Sequence, residues 1–463
     1  MNHLIDCVAE HATRRPNDLA VIQMRGSTAS AWSWRKLWRE TERIASLLLE
    51  FEVGPGEVVA YQLPNCAEFV AISLAVLRIG AICCPLTPML GERQIALALE
   101  RSRARVLFAI GAGKGHPIDE IARVVHRLHE LEHLIVIGGR DRIRMLPETR
   151  RLTSCWLDDR LATVRSDAQA LETRSLLPGA LAQLLFTAGA TGTPKGVLHR
   201  HDVLMQAAEL TAGHLGLTDR DALFVACSLA QQSGFLYGLW LALRLGAPQV
   251  LQGLWEPRQA LATMREWNVT FAQATTPCLA DLVQVLEEGG EPPRSLRCLI
   301  AADGSVPHTL ARRGTELLRA SVCGGFGTPE SYLATLSSPQ DAPEKAWGSD
   351  GRALPSVQIR VCDQGGDPLP PCNQGHLQLR SPTMFAGYLD EPKPDAGLYT
   401  ADGWYRTGDL AVIDAEGFLH VTGRGKDEVS GGAKRFRWRR SRSSELMSPG
   451  PGAPGYARPR TRS

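Results

Sequence analysis

The sequence predicts an α/β protein in which two mostly parallel sheets carry helices on their faces and a smaller antiparallel unit follows. Three observations predict it. Strand-like apolar runs alternate with helix-period segments between residues 34 and 108, and the same alternation returns after residue 181. From residue 357 the pattern changes to short apolar–polar alternation between Gly/Pro turns. At 463 residues, 44% hydrophobic and 22% charged, the chain has the composition of a globular protein large enough for more than one domain or subdomain.

Residues 34–51 place Leu37, Ile44, Leu48 and Phe51 near a 3.6-residue repeat, and Gly54-Pro55-Gly56 ends that helix. A short strand follows at 58–61, a helix at 67–79 that stops at Gly80, and strands at 81–85 and 106–108. His126, His129 and His133 fall three and four residues apart, on one face of a predicted helix. No Cys, Asp or Glu cluster completes a metal shell there, and the flanking Arg and Glu mark a solvated face. Residues 181–186 read as a buried strand. The most apolar region, 222–250, is broken by Gln231, Gln232 and Arg244, which argues against a membrane span. Residues 357–361 and 376–380 read as strands of a small antiparallel barrel or twisted sheet. After residue 436, Arg, Ser, Pro and Gly dominate without an apolar face, so 437–463 reads as a disordered basic tail.

The formal charge of +2 conceals this tail. Residues 437–463 hold seven arginines and one glutamate, which leaves the body at −4 and gives no footprint for a nucleic-acid partner. Eleven cysteines without paired metal spacing suit reduced thiols in a cytoplasmic protein. The first residues lack a basic region followed by an apolar core, so no signal peptide is expected. Nothing in the sequence sets the oligomeric state.

The chemistry is concentrated after the strand at 181–186, in Thr187-Ala188-Gly189-Ala190-Thr191-Gly192-Thr193-Pro194-Lys195-Gly196. Glycines bring backbone N–H groups close to a ligand, threonine hydroxyls add donors and the lysine adds a charge, a combination suited to phosphate oxygens. The competing reading is an ordinary Gly/Thr turn. A Walker A loop is excluded, because Pro194-Lys195-Gly196 stands where Gly-Lys-Ser/Thr is required. The stretch resembles the phosphate loop of the adenylate-forming (AMP-binding) enzymes, which include acyl-CoA synthetases, luciferases and peptide-synthetase adenylation domains. Ala188 and Ala190 each replace a hydroxyl of that pattern.

Four further stretches match the same family in order. Gly325-Phe326-Gly327-Thr328-Pro329-Glu330 matches its aromatic-Gly-x-Thr-Glu element, with Pro329 in place of the threonine. Tyr405-Arg406-Thr407-Gly408-Asp409-Leu410 is a full match, and Gly423-Arg424-Gly425-Lys426-Asp427 matches the hinge element. Ser228 to Gly234 resembles the acyl-pocket segment, with Gln231 where relatives usually carry histidine.

The resemblance implies an ATP-dependent acid–CoA ligase that works through an acyl adenylate, with ATP, Mg2+ and coenzyme A. Thr187, Gly189, Thr191, Gly192, Thr193 and Lys195 would cradle the phosphates, with Thr191, Lys195 and Glu330 catalytic and Glu330 the magnesium ligand. Gly304, Ser305, Gly325, Phe326, Gly327, Thr328, Asp409 and Arg424 would hold the AMP portion, and Lys426 would be the hinge. Gln231, Gly234, Thr276 and Gly304 would line the acyl pocket. Its segments look most like those of ligases for short- or medium-chain or cyclohexanecarboxylate-type acids. For each charged residue the alternative is an ordinary surface or turn position.

By the same resemblance, residues 1–424 form the large domain, with 345–422 its barrel-like subdomain, and 425–436 form the hinge and the start of the lid. The C-terminal lid and its lysine are expected to be missing, because the family pattern stops at Arg437. A non-catalytic nucleotide- or acyl-binding protein is the alternative function.

Overall fold

The structure is a computed structural model. It describes residues 3–25, 28–111, 117–140, 152–165, 167–174, 179–187, 194–302, 306–390, 397–425, 428–429 and 436–437. The phosphate-loop residues Gly189, Thr191, Gly192 and Thr193, the acyl and AMP residues Gly304 and Ser305, and the hinge residue Lys426 lie outside the described residues, as does most of the basic tail.

Two large sheets and one small one organise the chain. The first has eight strands in the order Gly387–Tyr388, Lys195–Arg200, Leu181–Thr187, Ile82–Leu86, Val58–Gln62, Val106–Ile110, His133–Ile137 and Thr153–Trp156. It is parallel from Leu181–Thr187 onward, with the two strands at the other edge running antiparallel. The second has nine strands: Arg352–Ala353, Tyr332–Leu336, Ser321–Thr328, Cys298–Ala302, Phe271–Thr275, Leu223–Val225, Gln249–Gln252, Leu19–Arg25 and Thr28–Ser33. Its centre is parallel and both edges end in antiparallel hairpins.

Alternation along each strand sorts the side chains into separate cores. On Val58–Gln62, Val59 and Tyr61 enter the central core while Ala60 faces an outer one. On Phe271–Thr275, Phe271 enters the central core and Ala272 the opposite outer one. The central core thus lies between the two sheets and holds the helices Trp34–Glu50, Ala67–Arg78 and His201–Leu215. From Ala67 to Leu77 every residue except the half-buried Glu68 is buried, the signature of a helix covered on both sides. A π-helix, Gly234–Leu241, is buried throughout in the same layer.

The two layers do not divide at residue 181, as the returning alternation suggests. Leu181–Thr187 pairs with Ile82–Leu86 in the first sheet, while Leu19–Arg25 pairs with Gln249–Gln252 in the second. The chain therefore crosses between the sheets, so strand–helix patterns alone cannot assign a strand to its layer. The histidine face also dissolves. The helix Pro117–Val124 ends in a 3-10 turn, Val125–Arg127, and His133 opens a strand with its ring stacked on Phe51 at 4.0 Å.

Residues after 357 form an open antiparallel sheet of four strands: Gln358–Cys362, Gly375–Arg380, Tyr405–Ile413 and Leu419–Arg424. Backbone bonds between Leu419 and residues 350 and 351, with Val421 N donating to Asp350 Oδ2 at 2.7 Å, dock it onto the second large sheet.

Candidate active site

Three hairpins, one from each sheet, converge. The first joins Leu181–Thr187 to Lys195–Arg200, with Thr187 opposite Lys195. The second joins Ser321–Thr328 to Tyr332–Leu336 and carries Glu330 in its turn. The third joins Tyr405–Ile413 to Leu419–Arg424 and sets Asp409 opposite Arg424.

Buried polar contacts fasten the first two together. His199 donates from Nε2 to the Pro329 carbonyl at 2.7 Å, and its ring lies 4.3 Å from that of Tyr332. Tyr332 donates in turn to Gln183 Oε1 at 2.9 Å. His199, Tyr332 and Gln183 are all buried, and burial lowers the His199 pKa to about 4. Tyr332 has φ +56, a left-handed backbone that a bulky residue adopts only when its surroundings enforce it. Here the phenol and the ring are both anchored. The adjacent Gly327 has no alternative, because a Cβ there would sit 2.1 Å from the Tyr332 carbonyl oxygen.

Lys195 and Glu330 meet across Tyr388. The Lys195 Nζ lies 4.2 Å above the Tyr388 ring, and the Tyr388 hydroxyl donates to Glu330 Oε1 at 2.7 Å. Tyr388 reaches this position because its short strand pairs with the strand beginning at Lys195. Glu330's negative charge is felt at the third hairpin and at the nearby Tyr399 too, adding to the upward pKa shifts of Tyr399, Tyr405 and Asp409 that burial causes.

Asp409 is 5% exposed. Arg424 donates from Nε to its Oδ1 at 2.9 Å, while Oδ2 is buried without a hydrogen-bond partner. Burial raises the carboxyl pKa, with Arg424 opposing the shift. A buried acceptor left unsatisfied is unfavourable by roughly 1–3 kcal/mol, so this oxygen has the chemistry of a seat for a hydroxyl donor such as a ribose. Of the remaining AMP candidates, Gly325, Phe326, Gly327 and Thr328 share one strand. Phe326 is half-buried between the central core and the small sheet's core, and the Thr328 hydroxyl lies 3.2 Å from that of Ser331.

The acyl candidates occupy adjacent segments. Val225 pairs with Gln273 on neighbouring parallel strands, and ligands of open α/β sheets bind beyond such carboxyl ends. Gln231 is exposed just before the π-helix, the helix type that recurs at functional sites. Gly234 opens that helix because a Cβ would fall 2.1 Å from the Ser228 carbonyl oxygen. Thr276 begins the helix Thr276–Glu287, and its buried hydroxyl has no partner. Gln273 is fully buried, with neither amide atom bonded.

Magnesium commonly takes one or two carboxylates and completes its shell with phosphates and water. Glu330, bonded at Oε1 and close to Lys195, fits that donor set. Sequence reasoning missed Tyr388, His199 and Arg101, none of which stands out by residue type. The Gln183/His199 and Tyr388/Val197 pairings that give two of them meaning are visible only in the fold.

A family model described as AMP-binding enzyme matches residues 8–389. A medium-chain fatty-acid–CoA ligase of Escherichia coli strain K12 is 29% identical over 452 residues, 96% of this chain and 76% of that protein. A 3-hydroxybenzoate–CoA ligase of Aromatoleum sp. strain CIB is 27% identical over 87% of this chain and 74% of that protein. Among solved structures, the anthranilate CoA ligase AuaEII in complex with anthranoyl-AMP superposes with a TM-score of 0.82 at 23% identity, covering 94% of this chain and 80% of that one. Among the described residues no helix is long and apolar enough to cross a membrane. With the family model spanning most of the chain and the fold shared with a solved adenylate-forming ligase, the chain belongs to the AMP-binding enzyme family.

Proposed function

We propose that this protein is an ATP-dependent acid–CoA ligase. The carboxylate oxygen attacks the α-phosphorus of ATP and pyrophosphate leaves. The coenzyme A thiol then attacks the acyl carbon and AMP leaves. The observation that carries this reading is the convergence of Lys195, Glu330 and the unsatisfied Asp409 Oδ2 on three hairpins, the first two fastened by buried contacts and the third within reach of the Glu330 charge. In-line displacement at phosphorus needs positioning and charge neutralisation above all. Lys195 and the loop N–H groups between 189 and 196, Pro194 excepted, would hold the β- and γ-phosphates, Glu330 the magnesium ion, and Asp409 the ribose, with Arg424 fixing the Asp409 carboxylate. Magnesium, when bound, neutralises phosphate charge.

The substrate proposed is a short- or medium-chain aliphatic or alicyclic acid. Support comes from the acyl segments and from a relative named for a medium-chain fatty acid, while a relative named for 3-hydroxybenzoate favours an aromatic acid instead. Gln273 is the side chain that would discriminate a polar ring substituent from a plain chain. The composition of 437–463 further supports a proposal that those residues do not supply the lid lysine.

Pyrophosphate–ATP exchange over C4 to C10 acids, cyclohexanecarboxylate and 3-hydroxybenzoate tests the reading. Exchange with one of these acids is the expected result. Nucleotide binding without exchange on any acid would instead mark a non-catalytic binder.

A further inference from the structure

We propose that Arg101 is a positioning residue for the phosphate-binding hairpin, and that it acts on ATP and pyrophosphate while leaving AMP and the acid untouched. The inference rests on the proposed role of Lys195 as a phosphate contact. Arg101 stands in the last turn of the helix Glu92–Ser102, which packs Ile95 and Leu99 into the outer core of the first sheet. Its side chain, 25% exposed, grips both flanks of the hairpin tip. Nη1 donates to the Pro194 carbonyl at 2.6 Å, Nη2 to the Leu389 carbonyl at 3.4 Å, and Nε and Nη2 each to Asp390 Oδ2 at 3.3 Å. The guanidinium carbon also lies 6.0 Å from the ring centre of Phe186, the residue before Thr187.

The contact with Pro194 matters most. Proline has no N–H, so its carbonyl is the sole backbone hydrogen-bonding group of the residue leading into Lys195. Arg101 occupies that carbonyl on one side of Lys195, and Leu389 N donates to the Gly196 carbonyl at 2.7 Å on the other. The peptide carrying the Lys195 ammonium is thereby fixed at both ends. A planar fork spreads its donors over three nitrogens in fixed directions and so reaches three separated acceptors, whereas a lysine offers its donors from a single atom.

Equilibrium binding of MgATP, pyrophosphate, AMP and octanoate to the full chain and to R101M, R101K and D390N tests the proposal, alongside thermal midpoints. R101M should weaken MgATP and pyrophosphate about tenfold, the loss expected for charge-assisted hydrogen bonds at one site, with AMP and octanoate within twofold of the parent. R101K should fall between, and D390N should change MgATP less than threefold, since Asp390 is 60% exposed. Unchanged MgATP affinity in R101M overturns the proposal. So does an equal loss for AMP and MgATP in R101K, which would mark Arg101 as general scaffolding. A parent chain that binds neither nucleotide overturns the proposed function as well.

Discussion

Asp409 shows how a single residue can be poor for folding and useful for binding. Its carboxyl pKa is raised by burial, so the ionised form is disfavoured in the fold. A carboxylate with a raised folded pKa contributes stability below its unfolded pKa and loses it as pH rises through the folded value. At neutral pH the charge therefore opposes folding, and Asp409→Asn should leave the thermal midpoint of the ligand-free protein unchanged or higher. Arg424, 46% exposed, can turn to water. The same substitution should weaken both AMP and ATP by about tenfold or more, because it removes charged acceptors from the proposed ribose seat. Scanning calorimetry and nucleotide titration read the two effects separately, and a variant that loses stability without losing AMP would remove Asp409 from the site. Tyr388→Phe belongs beside it. Deleting the hydroxyl that holds Glu330 at 2.7 Å should raise the magnesium concentration needed for ATP binding a few-fold while AMP binding stays constant. Titrating MgCl2 at fixed ATP measures it.

At the scale of elements, the joint between the Lys195 strand and the Glu330 turn should be acid-sensitive. His199 donates from Nε2 to Pro329, and its Nδ1 is buried without a partner, so a second proton would place an unpaired charge in the core. The pKa is lowered from its usual 6.5 to about 4. The folded state thus binds fewer protons, and the stabilisation is fully present above pH 6.5 and is lost as pH falls toward 4, by about 3 kcal/mol. Unfolding midpoints between pH 7 and 4.5 should fall more steeply for the parent than for His199→Gln. Equal slopes would mean that another group governs the loss.

That joint also marks what sequence can reveal. Helix and strand positions such as 34–51 and 58–61 were legible because apolar spacing sets them locally: the helix runs Trp34–Glu50 and the strand Val58–Gln62. Glu330, Asp409 and Lys195 can be proposed from sequence because their neighbours form extended patterns. His199, Tyr388 and Arg101 cannot, because their importance comes from pairing with residues 130, 58 and 93 positions away. The histidines at 126, 129 and 133 misled for a related reason: helical spacing was assumed across a boundary where His133 pairs instead with Val106 in a strand.

For the molecule as a whole, the three-hairpin arrangement predicts how ligands spread their effect. No single sheet contains the site, so a nucleotide that touches all three hairpins should stabilise them jointly. At a ligand concentration 100 times its Kd the gain is about 2.7 kcal/mol, and locally opening segments should register it as slowed amide exchange. MgATP should protect residues 181–200, 321–336 and 405–424 together. AMP lacks the β- and γ-phosphates, so it should protect 321–336 and 405–424 but leave 181–200 near its ligand-free rate. Hydrogen–deuterium exchange by mass spectrometry resolves these peptides. Protection of the first hairpin by AMP equal to that by MgATP would mean that the loop does not hold the distal phosphates. Protection confined to one hairpin would mean that the convergence seen in the fold is packing alone.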